Sequence, residues 1–184
     1  MGLINRILGR EKPLRTTIRF KIANPIIMGR KYKIEAHVTG RNSFKIEDGV
    51  IIFTLKDSTK ANFQNYYTTW YKRLARKEFL KAVELWLPSF ESLGYEIPKP
   101  RIKIFKMHRA WGRCYYTKGL ITLNLNLLML PQECIEYIAL HELSHFVAHD
   151  HGPLFKATLT KIDPQWTSKK MLIRELEPKL VLMR

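Results

Sequence analysis

Residues 141–152 read HELSHFVAHDHG and hold four of the chain's six histidines, together with Glu142 and Asp150. His141 and His145 are four residues apart. On a helix that spacing stacks two imidazoles on one face, one turn apart, so two ring nitrogens can reach one metal ion at roughly 2 Å each. Glu142 projects about 100° round the helix from His141. It is badly placed to be a third ligand, yet it can reach a water held by the metal. Two ligands and one general base are the physical content of H-E-x-x-H. A chain carrying this pattern must fold so that one helix turns these side chains towards an enclosed site.

A catalytic zinc needs a third protein ligand and an open position for water. His149 continues the four-residue series, but on an unbroken helix it lies roughly 12 Å from His141 along the axis. It serves only if the helix breaks before it. His151 is the better choice, because Gly152 and Pro153 follow at once and a turn there can swing it back over the metal. Glu175 and Glu177, further along the chain, are the distant alternatives. H-E-x-x-H also arises by chance on many helices. Here Ile135, Ile138 and Cys134 line the same side, and polar groups set into an apolar stripe are costly without a partner. A metal supplies that partner.

The rest of the chain sets the bounds. Its 184 residues make one domain with a real core and are too few for two full-sized ones. With 46% hydrophobic residues, including four Trp, nine Phe and eight Tyr, a disordered chain is excluded. No apolar run reaches about 18 residues, so no membrane span is expected. The opening MGLINRILGREK lacks the apolar core and cleavage site of a signal peptide. Only Cys114 and Cys134 are present, too few for a disulfide framework, which points to a reducing cytoplasm. There are 32 Lys and Arg against 16 Asp and Glu, a formal net of +16. Such a surface attracts polyanions, nucleic acid above all.

Residues 14–56 run in short alternating stretches, RTTIRFKI, KYKIEAHV, SFKIED and GVIIFTL, punctuated by turn residues such as Asp48-Gly49. These read as strands and hairpins. From Ser58, a plausible cap, Phe63, Tyr67, Trp70, Leu74, Phe79 and Ala82 recur at helical spacing. One long helix is expected up to Gly94, or two with a break near Arg76 or Pro88. RIKIFKM and GLITLNL then read as a hairpin with an elaborate loop, HRAWGRCYYTK, between them. Pro131 opens the histidine helix at a favoured first-turn position, and that helix should run to Ala148 or Asp150. PLFKATLTKI and SKKMLIREL read as two further short helices, and PKLVLMR as a tail.

These motifs together resemble the YgjP-like zinc metallopeptidases, relatives of the SprT and Spartan-type proteases. The resemblance rests on Trp111-Gly112-Arg113-Cys114, on GLITLN from Gly119 to Asn124, on Pro131, on HELSH with His151, and on HGPLFKATL after it. It spans about residues 60–175. Arg113 stands where the family usually has serine, and Ala110 where it usually has arginine, with Arg109 one place earlier. The resemblance implies an α+β, zincin-like fold. It also implies His141, His145 and His151 as ligands of one zinc per chain, and Glu142 as the base. The expected organisation is an N-terminal β-rich segment (1–57) packed on the same domain, a metallopeptidase core (58–176) and a C-terminal tail (177–184).

The expected function is a cytoplasmic, zinc-dependent peptidase acting on a protein or peptide substrate, with GLITLNL offering a strand edge to an extended peptide. Two rivals stand beside it: a basic nucleic-acid-binding protein with a non-catalytic zinc site, and a zinc hydrolase of a non-peptide amide or ester. Trp111 and Cys114 read as packing residues. As a fourth zinc ligand Cys114 would close the site. His108 and Arg109 are candidates for an oxyanion contact that nothing in the sequence places, and His37 reads as a surface strand residue.

Overall fold

The computed structural model describes residues 16–18, 20 and 23–181. The opening MGLINRILGREK, parts of RTTIRFKI and the last three residues lie outside them. The described chain is mixed α+β and divides into two compact units.

The first unit comprises residues up to Pro25 together with Tyr32–Thr68. Its sheet contains β1 (Thr16–Ile18), β4 (Lys33–Val38), β5 (Ser43–Glu47) and β6 (Val50–Leu55), in the order β1-β4-β6-β5. β6 alternates as its VIIFTL sequence requires, with Ile51, Phe53 and Leu55 fully buried. Phe53 is ringed by Phe63, Tyr66 and Tyr67 at centroid distances of 5.4, 5.9 and 6.0 Å. Asp48 and Gly49 both take positive φ, 47° and 76°, as a two-residue hairpin between β5 and β6 demands. His37 lies on β4, beside Thr17 and Glu35. Thr59, one residue beyond the expected Ser58, caps the next helix by accepting from Asn62 N–H at 3.2 Å.

That helix, α1 (Lys60–Ser92), is continuous and carries Pro88 inside it. The second unit takes its residues from 69 onwards, plus Ile26–Lys31. The latter segment is a small hairpin of β2 (Ile26–Ile27) and β3 (Arg30–Lys31) that the sequence did not announce. Its turn donates from Met28 N–H to Leu128 O at 2.8 Å and from Gly29 N–H to Met129 O at 3.2 Å.

The remaining strands are β7 (Arg101–Phe105), β8 (Gly112–Tyr115) and β9 (Leu120–Asn124), in the order β7-β9-β8. The expected hairpin of RIKIFKM with GLITLNL is absent. β7 and β9 are parallel, and the hairpin is β8 with β9. The sequence hid this because GRCY is short and lacks apolar alternation. β9 is thus the central strand, bonded on both sides, and has no edge to offer a peptide. β8 holds that edge. Asn124 N–H donates to Trp111 O at 2.9 Å, so by antiparallel alternation the backbone groups of Gly112 and Cys114 point away from β9.

Three helices complete the unit: α2 (Gln132–Ser144), α3 (Pro153–Ile162) and α4 (Trp166–Val181). α2 ends at Ser144, short of the expected Ala148 or Asp150. α4 carries on through Pro178 to Val181, into the stretch read as a tail.

Asn124, 1% exposed, ties the β7–β8 loop down. Its Oδ1 accepts from Met107 N–H at 3.2 Å and Asn126 N–H at 3.1 Å, while Nδ2 donates to Met107 O and Ala110 O, both at 2.8 Å. Asn124→Ala strands buried backbone groups and should lower the unfolding free energy by about 2–4 kcal/mol. Urea denaturation checks this, and a change below about 0.5 kcal/mol would contradict the clamp.

Candidate metal centre and active site

α2 presents Cys134, Ile135, Ile138, Ala139, Leu140 and Leu143 to the core, so His141 and Glu142 ride on a helix held by apolar burial. The helix stops where the histidine cluster needs it to. Ser144 turns its hydroxyl back to Leu140 O at 2.9 Å, and Val147 and Ala148 both donate to Ser144 O. The chain then reverses. Asp150 Oδ1 accepts from Gly152 N–H at 2.8 Å, and a Cβ on Gly152 would lie only 2.7 Å from that oxygen. Pro153 starts α3 at once. The tight turn carries His151 back over α2.

The result is a three-histidine group. Metal-ligating atoms of His141, His145 and His151 all lie within 4.8 Å of one another. His141 Nε2 and His151 Nε2 are 3.0 Å apart, near the edge of about 3.3 Å for a tetrahedron with zinc–nitrogen bonds of ~2 Å. His145 Nδ1 faces Ala148 O at 3.3 Å. A carbonyl can only accept, so Nδ1 carries the proton and Nε2 keeps its lone pair for a metal. His141 Nδ1 is buried with no hydrogen-bond partner. Burial, then the neighbouring His145 and His151, push the His141 pKa down to about 3. Burial also lowers His145. Both imidazoles are therefore neutral, the form that binds metal. The donor set fits a divalent ion with an open position.

Phe155, in the first turn of α3 and 2% exposed, packs against all three rings. Its centroid lies 4.9 Å from His141, 4.8 Å from His145 and 4.7 Å from His151. Tyr137, one turn before His141, stands edge-on to it at 6.0 Å and stacks on Trp166. Tyr137, four before His141, was not singled out from the sequence, and Phe155, four after His151, entered only as part of the HGPLFKATL resemblance, with no contact to the histidines expected.

Glu142 is 5% exposed and lies under β8. A Cβ on Gly112 would sit 2.7 Å from its Cδ and Cγ and closer still to Oε1, so only glycine leaves the carboxyl its place. Its carboxylate accepts from Cys114 N–H. Burial raises its pKa to about 8, against the lowering effects of that hydrogen bond and of Arg113.

The other candidates fall outside the group. His149 stacks on Tyr116 at 3.7 Å and 7°. The helix does break before His149, but the chain turns it elsewhere. Glu175 and Glu177 are exposed on α4, and His108 and Arg109 are exposed in the β7–β8 loop. Cys114 does not join the three histidines, and burial followed by Glu142 pushes its thiol up to about 12, so it is inert at neutral pH.

The buried carboxyl has a consequence for metal-free protein. The unfolded chain ionises Glu142 near its ordinary 4.5, the folded chain only near 8. Between those values the folded state holds the extra proton, so stability falls as pH rises. His141 acts oppositely between about 3 and 6.5: there the unfolded chain holds the extra proton, and stability falls as pH drops. In chelated protein Glu142→Gln should therefore raise stability near pH 8 by on the order of 1–3 kcal/mol, with the gain shrinking towards about pH 5. Thermal unfolding across that range tests this, and a gain independent of pH would contradict it.

The model of the YgjP-like, metallopeptidase domain family matches residues 5–175. No curated protein matches the chain. Among solved structures, the metallopeptidase zymogen of Pyrococcus abyssi abylysin is similar at 26% identity and a TM-score of 0.43, covering 56% of this chain and 93% of that one. With a family match that runs through β8, the histidine helix and the turn to His151, the chain belongs to the YgjP-like metallopeptidases and is a metal-dependent hydrolase.

Proposed function

We propose that the protein is a zinc-dependent peptidase in which His141, His145 and His151 hold one zinc per chain and Glu142 is the general base. The single observation that carries this reading is the convergence of His141, His145 and His151 next to a buried carboxyl, Glu142 on α2. When bound there, zinc supplies a Lewis acid that polarises water and the scissile carbonyl. Glu142 takes the proton of the attacking water and passes it to the leaving amine nitrogen. Its raised pKa in the metal-free protein suits a group that must both accept and return a proton near neutral pH. A nearby cation favours the ionised form that accepts. Cys114 N–H orients the carboxylate, and Gly112 leaves space for it.

The substrate is a protein or peptide in extended form. β8 is an edge strand of its sheet beside Glu142; its Cys114 N–H serves the carboxylate, while the Gly112 backbone groups and the Cys114 carbonyl point outward, and pairing along such an edge is a standard way to hold a peptide backbone. Two free cysteines support a cytoplasmic setting. No helix among the described residues is long and apolar enough to cross a membrane.

Glu142→Gln should keep its zinc and lose hydrolysis of a denatured protein by about 10²–10⁴-fold in kcat/KM. Gly112→Ala should also keep zinc and lose activity, because the added methyl displaces Glu142. Hydrolysis unchanged in Glu142→Gln would sink the mechanism.

A further inference from the structure

The three-stranded sheet of the second unit has two different faces. Gly112 and Cys114 turn towards Glu142, so the alternating residues Arg113 and Tyr115 turn the other way. Strand register carries that outer face across the sheet. Tyr115 pairs with Leu120, and Leu120 with Arg101. Arg113 pairs with Thr122, and Thr122 with Lys103. On the same face of β7 follows Phe105.

Arg101, Lys103, Phe105, Arg113 and Tyr115 are all exposed, Phe105 by 56% and Tyr115 by 37%. From Arg101 to Pro131 the chain has six Lys and Arg (Arg101, Lys103, Lys106, Arg109, Arg113, Lys118) and no Asp or Glu. None of the ion pairs among the described residues involves a cation of this face. A merely solvated basic surface does not need two large aromatic rings set between its cations. Here they cost apolar exposure that a sheet face normally avoids.

We propose that this outer face binds single-stranded nucleic acid. Phe105 and Tyr115 are platforms for unstacked bases, and Arg101, Lys103 and Arg113 take phosphates. The face measures about 13 Å along β7 and about 10 Å from β7 to β8; its middle is filled by Leu120 and the buried Thr122 and Asn124, so the exposed side chains of β7 and β8 leave room for about two splayed nucleotides. Arg101 is braced by Lys118 O at 3.2 Å. A duplex fits poorly, because its bases are stacked away from the rings. The bound strand would lie on the back of the sheet whose front covers Glu142. The proposal does not depend on hydrolysis.

The test is fluorescence anisotropy of the full-length chain with a labelled oligothymidylate of ~12 nucleotides, titrated with salt. Binding should exceed that of the matching duplex. Phe105→Leu should weaken it by at least about 5-fold with the salt slope unchanged. Lys103→Gln should reduce the salt slope by about 0.7. Removing two exposed α1 charges, in Lys72→Gln with Lys77→Gln, should matter less than the single Phe105 change. Neither β7 variant should alter hydrolysis. The proposal is overturned by absence of binding, by tighter binding to duplex or to phosphatidylserine vesicles, or by equal losses from the α1 pair with Phe105 indifferent, which would mean diffuse attraction only.

Discussion

Everything at this site follows from polar groups sunk into an apolar helix. α2 buries its hydrophobic side against the core, and His141 and Glu142 go in with it. Two imidazole nitrogens at 3.0 Å cannot both carry a proton between them, and a carboxyl at 5% exposure resists ionisation. A cation relieves both constraints at once, since it takes the lone pairs and favours the carboxylate. The surroundings hold that arrangement in place. Phe155 sets the three ring positions, Ala148 O fixes the tautomer of His145, and Gly112 with Cys114 N–H fixes the carboxyl.

The site was more legible in the sequence than the fold around it. H-E-x-x-H names its own geometry once a helix is granted, and Gly152-Pro153 gave a physical reason for His151 to return. The end of α2 was misjudged because HELSHFVAH keeps a helical pattern past Ser144. The break comes from the Asp150–Gly152 turn and from backbone bonding to Ser144 O, which periodicity does not encode. The sheet was misread for a related reason. RIKIFKM and GLITLNL alternate cleanly and invite pairing as neighbours, whereas GRCY shows no alternation. It owes its place to Gly112's close approach to Glu142 and to its pairing with β9. Tyr137 was hidden because an aromatic at helical spacing usually means core, and Phe155 stood out only as part of HGPLFKATL; both are core residues that also touch the histidines.

The short sheet gives the second unit its chemical asymmetry. Its inner face is a glycine and a half-buried thiol pressed on a carboxyl. Its outer face is cationic and aromatic. Period-two alternation makes both from the four residues of β8, Gly112 to Tyr115, so one strand presents the neighbours of a carboxyl on one side and exposed cationic and aromatic side chains on the other. Asn124 at the end of the central strand anchors the loop that feeds it.

The proposed chemistry stands or falls on three histidines, His151 among them, holding the metal. Elemental analysis of the purified protein beside His151→Ala tests it most directly. A three-histidine site predicts one zinc per chain in the native protein and a sharp loss in the variant, because His141 and His145 alone leave the ion without its third ligand. No zinc in the native protein, or full retention without His151, would contradict it.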